Sequence, residues 1–210
     1  MIQTLSSRQS VATRDLTSFE VTATKDFLII QTGVIALAHD SSAQRRFVKV
    51  AVLTVSDTRS LDTDTSGAFL QQALEAEGHS LADRKLVIDD IYQMRAIVSA
   101  WIADPEVEII LTTGGTGFTG RDSTPEALSP LFDKHIEGFG ELFRQLSYDE
   151  IGTSTVQSRC LAGLSNNTAI FCVPGSTGAC KTAWNGIIRQ QLDSTFQPCN
   201  FVQHVRRKSQ

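Results

Sequence analysis

The sequence predicts an α/β domain built on a parallel sheet with helices on both faces. Two observations carry that prediction. Short apolar runs alternate with segments whose apolar residues recur at helical spacing, and the connections are too long for hairpins. The chain is also large enough: 210 residues, 41% hydrophobic and 7% aromatic, suffice for one domain with a real core plus an arm.

The elements follow in order. Residues 1–46 are rich in Ser, Thr, Arg and Gln, show no sustained period, and are expected to be an N-terminal extension. The domain is expected over 47–205, with a short basic tail at 206–210. FVKVAVLTV (47–55) reads as a buried strand ending at Ser56-Asp57. SGAFLQQALEAEGH then places Phe69, Leu70, Ala73 and Leu74 at helical spacing, with Gly78 as a stop. KLVI (85–88) is a second strand, ending in Asp89-Asp90. IYQMRAIVSAWIAD is a second helix, with Met94, Ile97, Val98, Trp101 and Ile102 on one face and Pro105 beyond its end. VEIILTT (107–113) is a third strand. Thr124-Pro125-Glu126 reads as a helix start with Thr124 as the cap. A further helix is expected over 139–149, a strand over AIFCV (169–173), and a last helix over about 179–191.

Bulk properties exclude several partners. A net charge of −4 gives no whole-surface attraction to nucleic acid or to an anionic membrane. An anionic ligand must therefore be held by a local device. Cys160, Cys172, Cys180 and Cys199 show no C-x-x-C spacing and the four histidines are scattered, which argues against zinc and for reduced thiols. No run of about 20 apolar residues is present to span a bilayer. LIIQTGVIALA (28–38) lies too far from Met1, and lacks too much of a positive flank, for a signal-peptide core. The expectation is a soluble, cytoplasmic protein.

In parallel α/β sheets, ligands gather outside the carboxyl ends of the strands. Ser56-Asp57, Asp89-Asp90, the 113–122 loop and the 174–178 loop should therefore meet at one edge. LTTGGTGFTGRDSTPEAL (111–128) holds four glycines between an apolar run and a helix start. Gly114, Gly115, Thr116 and Gly117 make either a tight turn or a concavity of free N–H groups that binds anions. PGSTGACKT (174–182) nearly matches a phosphate loop, but Cys180 stands where the second glycine belongs, which argues against a nucleotide triphosphatase of that type. A glycine turn feeding a helix N-terminus remains, able to hold one phosphate or simply to turn. Asp89 and Asp122 are hard oxygen donors beside these loops, suited to Mg²⁺ or to capping a helix. Arg121 suits a phosphate clamp or an ion pair.

Four stretches together go further: VAVLTVSDTRS with DTSG (50–67), LTTGGTGFTGRDSTPEAL, GFGELFRQLSYDEIGTSTVQSR (138–159) and PGSTGACKTAW (174–184), closing with PCNFV. They resemble the molybdenum cofactor biosynthesis protein B family over roughly residues 47–205. The resemblance implies a three-layer α/β/α molybdopterin-binding fold with a mostly parallel sheet, assembled as a homotrimer or homohexamer. It implies that molybdopterin and ATP are substrates, that Mg²⁺ is required, and that molybdopterin adenylyltransferase activity releases pyrophosphate. It also allows a non-catalytic molybdopterin carrier of the same pathway. On matching positions it makes Asp89 and Asp122 the catalytic and metal-binding acids. Gly114 to Gly117 and Pro174, Gly175 and Ser176 become the nucleotide and phosphate loops, and Ser147, Ser158 and Arg159 the pterin side. Relatives often carry Pro-Asp where this chain has Ile88-Asp89, which leaves Asp89 and Asp90 as alternatives.

Overall fold

The computed structural model describes residues 44–205. The basic tail at 206–210 and all but the last three residues of the expected N-terminal extension lie outside them. Six strands form one sheet in the order β2-β1-β3-β6-β5-β4. They are β1 (Lys49–Val55), β2 (Ser80–Val87), β3 (Ile109–Thr113), β4 (Lys134–His135), β5 (Leu161–Ser165) and β6 (Thr168–Val173). β2, β1, β3 and β6 are mutually parallel, and β5 and β4 add an antiparallel edge.

The helices are α1 (Thr65–Ala76), α2 (Ile91–Ala103), α3 (Thr124–Leu128), α4 (Glu137–Ile151), α5 (Thr177–Ala183) and α6 (Arg189–Gln191). A π-helical turn, Trp184–Ile188, joins α5 to α6, so the single last helix expected from the sequence is a composite. The alternation of side chains along a strand divides β1 between two cores. Val50 and Val52 pack with Leu70 and Leu74 of α1, Phe143 of α4, Phe171 and Trp184. Ala51, Leu53 and Val55 pack with Met94, Val98 and Trp101 of α2, Leu128 of α3 and Ile170. Each core seals one sheet face, giving three layers, α/β/α.

Two expectations need correction. Not every connection is a crossover: β5 and β6 form a hairpin around Asn166-Asn167, both at positive φ (47° and 60°), and Ser165 pairs with Thr168. Two successive residues at positive φ are the signature of the tight turn whose twist matches paired strands. Thr124 is not the cap of α3 but its first residue. Ser123 holds the cap position, and the Thr124 hydroxyl instead donates to the Gly114 carbonyl at 2.8 Å.

The described chain begins with a fastened segment. The Arg46 N–H donates to Ser194 Oγ at 2.7 Å and its guanidinium pairs with Glu108 and with the Val202 carbonyl. Among the described residues, no helix is long and apolar enough to cross a membrane.

Candidate functional site

The carboxyl ends of β1, β3 and β6 open into a cavity of about 650 Å³. Its first wall is main chain: the Gly114–Gly117 loop after β3 and the Pro174–Ser176 loop after β6. Its second wall is α4 and the 3-10 turn that follows, contributing Phe143, Ser147, Thr155 and Ser158.

The glycines are demanded by crowding among strand ends. A Cβ on Gly114, whose φ is +106°, would stand 2.1 Å from the Val55 carbonyl oxygen. One on Gly115, at φ +63°, would stand 2.3 Å from Thr124 Oγ1 and 2.5 Å from Asp89 Oδ2. The tight turn is therefore real, imposed by the close approach of neighbouring strand ends. The loop's outer side is clamped by Arg159, which donates from Nε to the Gly117 carbonyl at 2.7 Å and from Nη2 to the Asp122 carbonyl at 2.9 Å. Its remaining terminal nitrogen pairs with Glu126, and its guanidinium lies over the Phe118 ring at 5.1 Å. Arg159, expected on the pterin side, is thus a brace of the glycine loop and does not line the cavity. Ser147 and Ser158 do line it. Ser147 is buried on α4, and Ser158 Oγ is a buried oxygen with no hydrogen-bond partner among the described residues.

Asp89 and Asp122 flank the same loop. Asp122 belongs to the cavity wall, with Oδ2 accepting from the Thr119 hydroxyl at 2.6 Å and the Thr119 N–H at 2.8 Å. These bonds, the Thr119 hydroxyl foremost, with the Gly117 N–H and the charge of Arg159, hold its carboxyl below the usual range. Asp89 sits behind the wall, its carboxylate accepting from the Ser123 N–H and hydroxyl. Partial burial raises its pKa, and the like charges of Asp122 and Asp57 add to that, against the two Ser123 bonds. Asp90 is a helix cap: its Oδ1 accepts from Tyr92 N–H at 3.0 Å and Gln93 N–H at 2.9 Å. Asp57 takes a bidentate pair from Arg121 at 2.9 and 2.7 Å and accepts the Asp89 N–H at 3.0 Å. Arg121 is thus engaged in an ion pair, and the loops after β1, β2 and β3 are tied together at one edge.

Mg²⁺ takes hard oxygen donors and needs only one or two carboxylates beside ligand phosphates. Asp122 in the cavity wall, with Asp89 pressed by its like charge, fits that donor set. Among the described residues, no three His, Cys, Asp or Glu side chains group as a complete metal cage, so ligand oxygens would have to complete the shell.

Sequence reading missed Asp64 and Arg59. Asp64 has a fully buried side chain and caps α1, accepting from the Gly67 N–H at 2.9 Å, the Thr54 hydroxyl at 2.6 Å and Arg84 at 3.0 Å. Burial works to raise its pKa, but these partners outweigh it and lower the value. Arg59 lines the cavity. The available signal was its position in SDTRS, as the first cation after the first strand.

Comparison with known proteins decides the family. The family described as "Probable molybdopterin binding domain" matches residues 51–194. A protein of Escherichia coli strain K12 named "Molybdenum cofactor biosynthesis protein B" is 53% identical over 159 residues, 76% of this chain and 94% of the relative. The chain belongs to the molybdenum cofactor biosynthesis protein B family. A family member from Staphylococcus aureus strain COL is 46% identical over 158 residues, 74% of this chain and 94% of its own. A crystal structure titled "Molybdenum cofactor biosynthesis protein B" superposes with TM-score 0.68 at 42% identity, covering 70% of this chain and 92% of that one. The "tungsten cofactor synthesizing protein MoaB" of Pyrococcus furiosus follows with TM-score 0.63 at 35% identity, covering 69% and 92%. This family member is accordingly a protein of molybdenum cofactor biosynthesis with a molybdopterin-binding fold.

Proposed function

We propose that this protein adenylylates molybdopterin with MgATP. A terminal phosphate oxygen of molybdopterin attacks the α-phosphorus of ATP. The new P–O bond forms as the bond to the β-bridging oxygen breaks, and pyrophosphate leaves with that electron pair. Both reactants are anions, so the protein's part is to align them and offset their charge.

The single observation behind this reading is the two-walled cavity. The main chain of the two glycine loops and Asp122 form one side, and α4 with the following turn forms the other, so two ligands can meet end to end. In these two loops Gly115, Thr116 and Gly175 present N–H groups to phosphates, while Ser147 and the unpartnered Ser158 hydroxyl serve the pterin side. Asp122, with Asp89 behind it, would hold Mg²⁺, which would supply charge neutralisation at the phosphates. Purified molybdopterin and MgATP given to the full chain should release pyrophosphate in step with adenylyl-molybdopterin. No release with intact protein and authentic substrate defeats the reading.

The position of Asp89 favours a second reading, a molybdopterin carrier without chemistry. Its carboxylate is held by Ser123 and stands outside the cavity wall. That reading requires pterin binding indifferent to ATP and Mg²⁺, and measurable adenylylation removes it.

A further inference from the structure

We propose that Arg59 is the side chain by which the cavity grips the phosphate of its ligand. The proposal rests on the molybdopterin reading above and adds to it the specific anion-binding group.

The first argument is charge. Among the described residues lining the cavity, Arg59 is the one cation, set against Asp122 and Glu150. A phosphorylated ligand entering a cavity with that balance meets net repulsion from side chains, and Arg59 alone among them attracts it.

The second argument is that the protein leaves Arg59 underused. Its Nη1 donates to Ser66 Oγ at 3.0 Å and to the Gly175 carbonyl at 3.4 Å. Among the described residues, no acceptor engages Nε or Nη2. Arg59 is not required to neutralise the buried Asp64 either. Asp64 lies 3.7 Å away and already has Arg84 at 3.0 Å, the Thr54 hydroxyl and the Gly67 N–H. A guanidinium tethered by one nitrogen keeps two donors for a bidentate oxyanion, the geometry in which arginine surpasses lysine.

The third argument is preorganisation. The Ser56 hydroxyl accepts from the N–H groups of Thr58 and Arg59 at 3.3 and 3.2 Å, fixing the turn that carries Arg59. The Nη1 anchor then joins that turn to the start of α1 and to the loop after β6, where Thr65 and Thr177 hydroxyls meet at 2.9 Å. A side chain held at both ends loses little entropy when an anion arrives.

The test compares full-length wild type, Arg59→Gln and Arg59→Lys. Each is titrated calorimetrically with molybdopterin and, separately, with inorganic pyrophosphate, without nucleotide, and each is melted without ligand. Arg59→Gln should weaken both probes by about ten- to a hundred-fold, the worth of a charge-assisted hydrogen bond. Arg59→Lys should recover part of that loss, keeping charge but not the fork. All three should melt together.

Equal affinity in wild type and Arg59→Gln overturns the proposal. So does an equal loss in both variants accompanied by a lower melting temperature, since Nη1 would then be only a brace between loops. Wild type that binds pyrophosphate through Arg59 but ignores molybdopterin removes the pterin reading and leaves the anion grip standing. Molybdopterin bound equally by all three does the reverse, and binding of neither probe removes both.

Discussion

Asp122 lies within the loop that follows β3, whereas Asp89 reaches that loop from the end of β2, and the two carboxylates meet opposite fates there. The loop curls around Asp122: Thr119 gives its hydroxyl and N–H, and Gly117 adds another N–H, so the charged form is favoured. Asp89 is pressed against Gly115 from behind, partly buried and facing two like charges, so its charged form is penalised. Identical side chains a loop's width apart thus acquire opposite electrostatic character from their surroundings. The cavity receives the one whose charge the protein supports.

The largest effect should separate the acids in turnover. Asp122→Asn should cut single-turnover pyrophosphate release by roughly a hundred-fold or more, on the scale of losing a positioned electrostatic group. Asp89→Asn should cost about ten-fold, because Asn can still accept from Ser123 and the residue stands outside the wall. Equal losses would break the comparison.

The loop offers a matched pair of smaller perturbations. Gly115→Ala places a Cβ at φ +63°, 2.3 Å from a Thr124 hydroxyl that the Gly114 carbonyl holds, and 2.5 Å from Asp89. It should cost about 2–4 kcal/mol in chemical denaturation. A Cβ on Gly117 meets Asp122 Oδ2 at 2.7 Å, the movable end of a side chain. Gly117→Ala should cost under about 1 kcal/mol yet lower turnover by displacing Asp122. The order of the stability losses decides whether the Asp89 side of the loop is the rigid one.

Much of this was legible in the sequence, for identifiable reasons. β1, β3 and β6 are nearly pure apolar runs and β2, though mixed (SLADRKLV), ends apolar; the residues after them include Ser56, Asp89, Gly114 and Gly175, so order alone brought the four loops together. The antiparallel edge was not read, because LAGLS is short, small-residued and weakly apolar, although Asn166-Asn167 before a strand was a usable hairpin signal. Motif matching named Arg159 but could not tell a residue that touches a ligand from one that braces the loop, since both are fixed by the same turn. Arg59 went unseen because one arginine in a polar loop carries no periodic signal, and only the fold shows that it is the cavity's cation. The choice between Asp89 and Asp90 also needed backbone geometry, which makes Asp90 the cap of α2.

The smallest expected effect is the most discriminating, because it reads charge alone. The pKa of Asp122 is lowered by folding, so its ionisation stabilises the native state above the ordinary value of 3.8 and that contribution is lost as pH falls through the lowered value. The pKa of Asp89 is raised by folding, so its contribution is present below 3.8 and is lost as pH rises through the raised value. At about pH 7, Asp122→Asn should therefore melt below wild type, and Asp89→Asn should melt level with it or above. As the pH is lowered from about 7, the Asp89 difference should be gone below the ordinary value, whereas the Asp122 difference should persist until the pH falls through the lowered one. Because Asn keeps an acceptor oxygen at either position, the hydrogen bonds from Thr119 and Ser123 can persist and the pH slope isolates the charge. Melting curves of the three proteins across that range make the check. If both variants are destabilised at neutral pH with the same slope, the protein favours the Asp89 charge as it does that of Asp122. The two acids would then act as a pair on one cation, in place of one wall residue with a neighbour behind it.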